Sequence, residues 1–178
     1  MLTSEWYEVM AKNATTDLWV VPSWEGRPEY GSPTLDDGRE VYDVIACGNL
    51  EDIPFNVWFE RNTDAKGKRH GDILWSGGLE SQPVSRRFAQ AVAELGVADV
   101  KTYEIDLIDR RKGPIEGYVG FVPSLTGKGE ISSWNWRKGK TSFAWVMSNR
   151  VLDGLLARGI DGFEYEPLED ENYIPPLK

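Results

Sequence analysis

The chain has 178 residues and a mass of 20.1 kDa, the size of a single domain that buries one substantial core and is too small for a comfortable second. Lys and Arg number 20 against 29 Asp and Glu, and the resulting net charge of −9 repels phosphate backbones, which argues against nucleic acid as a partner. One His and one Cys exclude a metal site built on those ligands and a disulfide framework.

The N-terminal stretch intersperses Glu5, Glu8, Lys12 and Asp17 among its apolar residues. It offers no uninterrupted apolar run of signal-peptide or membrane-spanning length, so a cytoplasmic protein that does not engage a membrane is expected. Runs rich in aromatic and β-branched residues predict strands at 6–10 and 18–21. A long Pro- and Gly-rich connection, 22–40, carries Trp24 and the acids Asp36 and Asp37. The next run, "VYDVIA" at 41–46, also reads as a strand, with Cys47 as a small buried side chain at its end. Glu51 and Asp52 precede a strand at 55–60, where Phe55, Val57 and Phe59 alternate with Asn56 and Glu60. That alternation belongs to an antiparallel sheet with one wet face. After the basic and small residues around His70, which read as a solvated turn, a strand is predicted at 72–75. Further strands are predicted at 102–107, 118–122, 132–136 and 143–147.

Two segments carry convincing helix chemistry, and they echo each other. "SRRFAQAVAELGVADVKTYEIDL" (85–107) and "SNRVLDGLLARGIDGFEYEPL" (148–168) align at an offset of 63, which places Ser85 on Ser148, Arg87 on Arg150, Val92 on Leu155 and Gly96 on Gly159. A one-residue slip then brings Tyr103-Glu104 onto Tyr165-Glu166. Each serine stands where an N-cap is wanted, and each glycine stands where a left-handed residue ends a helix. The expectation is an α+β fold: a mostly antiparallel sheet with at least two Ser-capped helices packed on it. Residues 1–178 form one domain containing a strand-helix-strand echo, about 72–107 and 143–168, and an acidic, Pro-rich tail at 169–178.

The search for chemistry returns little. "LDDGRE" at 35–40 lacks the spaced ligands of a calcium loop, so no metal is expected. "WNWRKGKTS" at 134–142 contains Gly-Lys-Thr, but Trp134 stands where a phosphate loop needs glycine. No strand leads into a Gly-x-Gly-x-x-Gly run, so no cofactor is expected either. No nucleophile motif accompanies His70, and no catalytic residue is assigned. Eight tryptophans are unusual for this length. Trp6, Trp19, Trp58, Trp75 and Trp145 sit in strand-like runs and read as core, whereas Trp24, Trp134 and Trp136 flank polar connections. Trp134 and Trp136, two apart and followed by Arg137, have the composition of a protein-recognition hot spot and equally of a sugar-stacking platform. With the acids Asp36, Asp37, Glu51 and Asp52, they are the candidate partner-binding residues.

The opening "EWYEVMA", the central "QPVSRRFAQAVAELGVADVKTYEIDL" and the closing "VMSNRVLDGLLARGIDGFEYEPL" together resemble the immunity proteins of bacterial polymorphic toxin systems. In that family the chain ends with a Ser-capped helix, a glycine and a strand running into an aromatic-x-Pro. The resemblance implies a cytosolic protein that is not an enzyme and that binds and blocks a cognate toxin domain. It transfers no catalytic residue, and "PSLTGKGEISSWNWRKGK" falls outside it. The alternatives are a carbohydrate-binding module using exposed Trp and a small hydrolase using two carboxylates.

Overall fold

Each Ser-x-Arg phrase of the echo turns a strand directly into a helix, and each does so with the same hydrogen bonds. A computed structural model describes residues 4–28, 31–127, 129–133 and 144–168. In chain order its elements are β1 (Trp6–Met10), β2 (Val20–Trp24), α1 (Val41–Ala46), β3 (Val57–Arg61), β4 (Gln82–Ser85), α2 (Arg86–Glu94) and β5 (Lys101–Tyr103). There follow β6 (Leu107–Asp109), β7 (Gly113–Pro114), β8 (Tyr118–Val122), β9 (Ile131–Ser133), β10 (Trp145–Ser148), α3 (Asn149–Leu156) and β11 (Glu164–Pro167). The class is α+β. Strands pair as β11-β1-β10-β9, β2-β3-β6-β7 and β4-β8-β5, antiparallel throughout except for the parallel pair β3–β6.

In the first unit Ser85 N–H donates to Asp72 O (2.9 Å) and Arg86 N–H to Gly117 O (2.8 Å); in the second, Ser148 N–H donates to Glu130 O (2.9 Å) and Asn149 N–H to Glu5 O (2.8 Å). Ser85 Oγ accepts from Phe88 N–H at 3.2 Å, and Ser148 Oγ from Val151 N–H at 3.4 Å. At the other end Gly96 (φ +69°) and Gly159 (φ +68°) turn left-handed, which a side chain resists. The next N–H then reaches back, from Val97 to Val92 O (3.3 Å) and from Ile160 to Leu155 O (3.1 Å).

Sheet register extends the match. β4 runs against β8 with Ser85 opposite Tyr118, as β10 runs against β1 with Ser148 opposite Trp6. β5 flanks β8 as β11 flanks β1. Because Thr102 stands opposite Phe121 and Tyr165 opposite Val9, while Phe121 faces Gln82 and Val9 faces Trp145, Thr102 is the counterpart of Tyr165 and Tyr103 of Glu166. The offset of 63 therefore runs on unbroken through the strand, and the one-residue slip expected from Tyr-Glu is corrected by the pairing. The second unit's central strand, β1, comes from the opposite end of the chain.

The two helices contact each other and lock crosswise. Arg87 donates to Gly159 O at the end of α3 (3.3 Å), and Arg150 to Leu95 O at the end of α2 (2.9 Å). A cation thus meets each helix's negative end. Between helices and strands lies a core that includes Tyr7, Ile73, Phe88, Phe121, Trp145, Met147, Leu152 and Phe163. A second core, including Val20, Trp24, Val41, Ile45, Phe59, Leu74, Leu107 and Tyr118, lies between α1 and β2-β3-β6.

Three expected strands are corrected. Residues 72–75 form no strand and contribute only the isolated bridge from Ile73 to Val84. Residues 41–46 form α1, because Val41, Val44 and Ile45 at helical spacing supply one buried face and Asn49 N–H closes the end on Val44 O (3.1 Å). The run 102–107 divides between β5 and β6, which belong to different sheets. Cys47 consequently ends a helix rather than a strand. Among the described residues no helix is long and apolar enough to cross a membrane.

Candidate partner-binding surface

The acids singled out in the sequence come together in part. Arg39 pairs with Asp37 (2.6 Å) and with Asp52 (2.8 Å), tying the turn before α1 to the 3-10 turn Leu50–Asp52. Hydrogen bonds from Arg39 hold the Asp37 carboxyl below its ordinary value. Asp36 and Glu51 are exposed beside them. Trp134, Trp136 and Arg137 lie outside the described residues.

From this acidic rim the chain runs through Ile53 and Pro54 to Phe55, which is 36% exposed. Phe55 and Tyr165 are the exposed large hydrophobic side chains among the described residues. The Phe55 ring lies 6.0 Å from that of Trp24, which makes an edge contact with Tyr42 of α1 at 5.6 Å. The guanidinium of Arg27 sits 5.8 Å from the Trp24 ring centroid, within cation–π range. In the β2–β3 register Ser23 stands opposite Trp58 and Val21 opposite Glu60, so Trp58 and Glu60 share a face, while Val57 and Phe59 enter the core. Glu60 then organises the surface: it accepts from Trp58 Nε1 (3.3 Å) and from Arg110 Nε (2.8 Å) and Nη2 (3.1 Å).

Trp24, Phe55, Trp58, Arg27 and Arg110 line a groove of about 760 Å³. It joins a second concavity of about 520 Å³ through Arg27, Glu60 and Arg110. Planar rings that present area at low entropic cost, beside forked donors, are what a protein hot spot is made of. Trp58, expected in the core, is partly buried against the second core and also lines the groove. Its alternation with Val57 and Phe59 puts it on the face of Glu60. Phe55 was grouped with the inward residues, but it precedes β3 and escapes its alternation.

Elsewhere the buried carboxylates Asp72 and Asp17 are each held by an arginine. Asp72, buried, accepts from Ser85 Oγ, Arg87 Nε (2.8 Å), Arg87 Nη2 (2.7 Å) and Gly162 N–H (2.9 Å). Burial would raise its carboxyl, but these donors outweigh burial and hold it below its ordinary value. Asp17, fully buried, takes Arg69 on Oδ1 at 2.7 Å, and its Oδ2 has no hydrogen-bond partner. Burial, followed by Asp43 and Glu80, raises the Cys47 thiol, which disfavours a reactive thiolate. His70 is exposed, its ring edge-on to Tyr118.

Neither models of known protein families nor curated proteins match this chain.

Proposed function

We propose that the protein is a toxin-neutralising immunity protein: a cytoplasmic binder that blocks a cognate bacterial toxin domain and catalyses nothing. The family resemblance of the opening, central and closing segments suggests the class. The observation that carries the reading is the groove, where Phe55 and Trp58, backed by the buried Trp24, meet Arg27 and Arg110 with Glu25 and Glu60 in its lining. Such a surface offers a desolvatable centre and a polar edge, the anatomy of a specific protein interface. Its open, ring-lined shape suits an extended segment or a protruding loop better than a small metabolite that must be enclosed.

The test is co-expression with the toxin domain encoded in the neighbouring reading frame. The expected result is restored growth and a complex that survives size-exclusion chromatography. Trp58→Ala should weaken that complex by about 30-fold, the equivalent of about 2 kcal/mol, measured well below the thermal midpoint because the ring also packs on the second core and its loss lowers that midpoint. A toxin domain that neither binds nor is blocked overturns the proposal, as does turnover of a small substrate abolished by changing one buried acid. Loss of retention on a polysaccharide column in Trp58→Ala, with protein binding undiminished, favours the carbohydrate-binding alternative.

A further inference from the structure

We infer that the concavity continuing the groove, between β3 and the β6–β7 turn, is a receptor for a single carboxylate presented by a protein partner, gripped by Arg27 and Arg111. This rests on the reading of the adjoining groove as a partner-binding surface. Four arginines, Arg27, Arg61, Arg110 and Arg111, line this concavity of about 520 Å³, in a chain whose net charge is −9. The acids facing them are Glu60, Asp64 and Asp109. Two of the arginines are already committed: Arg61 pairs with Asp109 (3.3 Å) and Arg110 with Glu60 (2.8 Å). Two are not. Arg27 makes no ion pair among the described residues; its Nε is buried without an acceptor, so a ligand would meet the outer nitrogens of the guanidinium, which is steadied over Trp24. Arg111 anchors its backbone N–H on Asp109 Oδ1 (2.9 Å), and its exposed side chain makes no ion pair among the described residues. Against these two stands Asp64, whose N–H is taken by Asn62 Oδ1 (2.9 Å).

An uncommitted guanidinium held by an aromatic ring is preorganised for a planar, two-oxygen acceptor. The field of the whole molecule decides which one. A nucleic acid would bring many phosphates against a surface of net negative charge, whereas one carboxylate on a protein meets the local positive charge alone. The rings of Trp58 and Phe55 in the adjoining groove then suit an apolar side chain next to that acid. The recognised element is thus an acidic residue beside an aromatic or aliphatic one.

The full chain, labelled with 15N in arginine, is titrated with acetyl-Phe-Glu-amide and with acetyl-Phe-Gln-amide while the Nε–H resonances are followed. The acidic peptide should shift Arg27 and Arg111 saturably and leave Arg86 and Arg150, paired elsewhere, in place. The Gln peptide should bind about tenfold more weakly, as should the acidic peptide to Arg27→Gln, since a charge-assisted contact is lost in each case. Equal binding of the two peptides, uniform shifts at all arginines, or tighter binding of inorganic phosphate than of the acidic peptide overturns the assignment. The outcomes are separable from those of the groove: a toxin complex weakened by Trp58→Ala but unaffected by Arg27→Gln refutes the carboxylate receptor and leaves the binder standing. Peptide binding without a toxin complex does the reverse.

Discussion

Ser148 shows how much one hydroxyl is asked to do. Its oxygen accepts from Val151 N–H while its proton goes to Glu130 Oε1 at 2.9 Å, and Ser85 repeats this with Phe88 and Asp72. Helix-cap chemistry alone makes Ser148→Asp nearly neutral, since an acceptor is kept and a charge added at the positive end of the helix. The structure reverses that expectation, because the new carboxylate would face Glu130. Ser148→Ala should lower stability by about 1 kcal/mol, and Ser148→Asp by more than that at neutral pH, as read from urea midpoints. A wild-type midpoint in Ser148→Ala means that the helix does not depend on this serine.

The acids these serines contact set a pH dependence. Hydrogen bonds from Arg150, then Ser148, outweigh burial and hold Glu130 below its ordinary value, as the donors to Asp72 do for that residue. A depressed folded-state value means that the stabilisation is complete above the unfolded value of about 4 and is lost as pH falls through the folded one. Asp72→Asn should therefore cost about 2 kcal/mol at pH 7, and its deficit against wild type should close as the pH drops below about 4. A pH-independent deficit would show that the charge of Asp72 contributes nothing.

At the scale of elements, the two helices are equal in design but not in environment. Each Arg pairs with a carboxylate that precedes its own helix and reaches the end of the opposite helix, yet the Asp72 side chain is 2% exposed and that of Glu130 35%. Truncating Arg87 leaves a buried charge uncompensated, whereas truncating Arg150 leaves one that water can reach. Arg87→Ala should thus cost about 2–3 kcal/mol and Arg150→Ala about 1 kcal/mol, with equal costs counting against the asymmetry. The helices and their stops were legible in the sequence because serine, apolar stripe and glycine are local signals. The carboxylates were not, since Asp72 and Glu130 stand 13 and 18 positions before their serines in segments without mutual likeness. Nor was the role of β1, which lies in sequence far from the strands it joins. "VYDVIA" reads both ways because over six residues Val41 and Ile45 satisfy a period of two as well as 3.6, while the buried Val44 and Ala46 and the exposed Asp43 fit only the helix. At the candidate surface, Trp58 was recoverable from alternation, while Arg27 and Arg110 meet it only through the turns that carry them.

For the molecule as a whole, one sheet feeds both cores. In β8, Tyr118 belongs to the core under α1, while Val119 and Phe121 belong to the core under α2 and α3, and every residue of the strand is buried. The bridge to β4 at Ile73 divides the same way, Ile73 on the helix side and Leu74 on the other. Tyr103 adds a clasp: it packs on Gly120 so closely that a Cβ there would stand 2.2 Å from the ring, and its hydroxyl meets Ser81 Oγ at 2.6 Å. A sheet that is the floor of two cores cannot lose one without exposing its other face, so neither layer is a separate cooperative unit. Calorimetry should accordingly show one transition whose calorimetric and van't Hoff enthalpies agree. Ile73→Ala and Leu74→Ala remove side chains from opposite faces, and each should lower that same transition by about 2–5 kcal/mol. Gly120→Ala, by forcing the Tyr103 ring away, should lower it by about 1–3 kcal/mol. If Leu74→Ala instead splits the melt into two steps while Ile73→Ala does not, the core under α1 unfolds on its own and the shared sheet fails to couple the two.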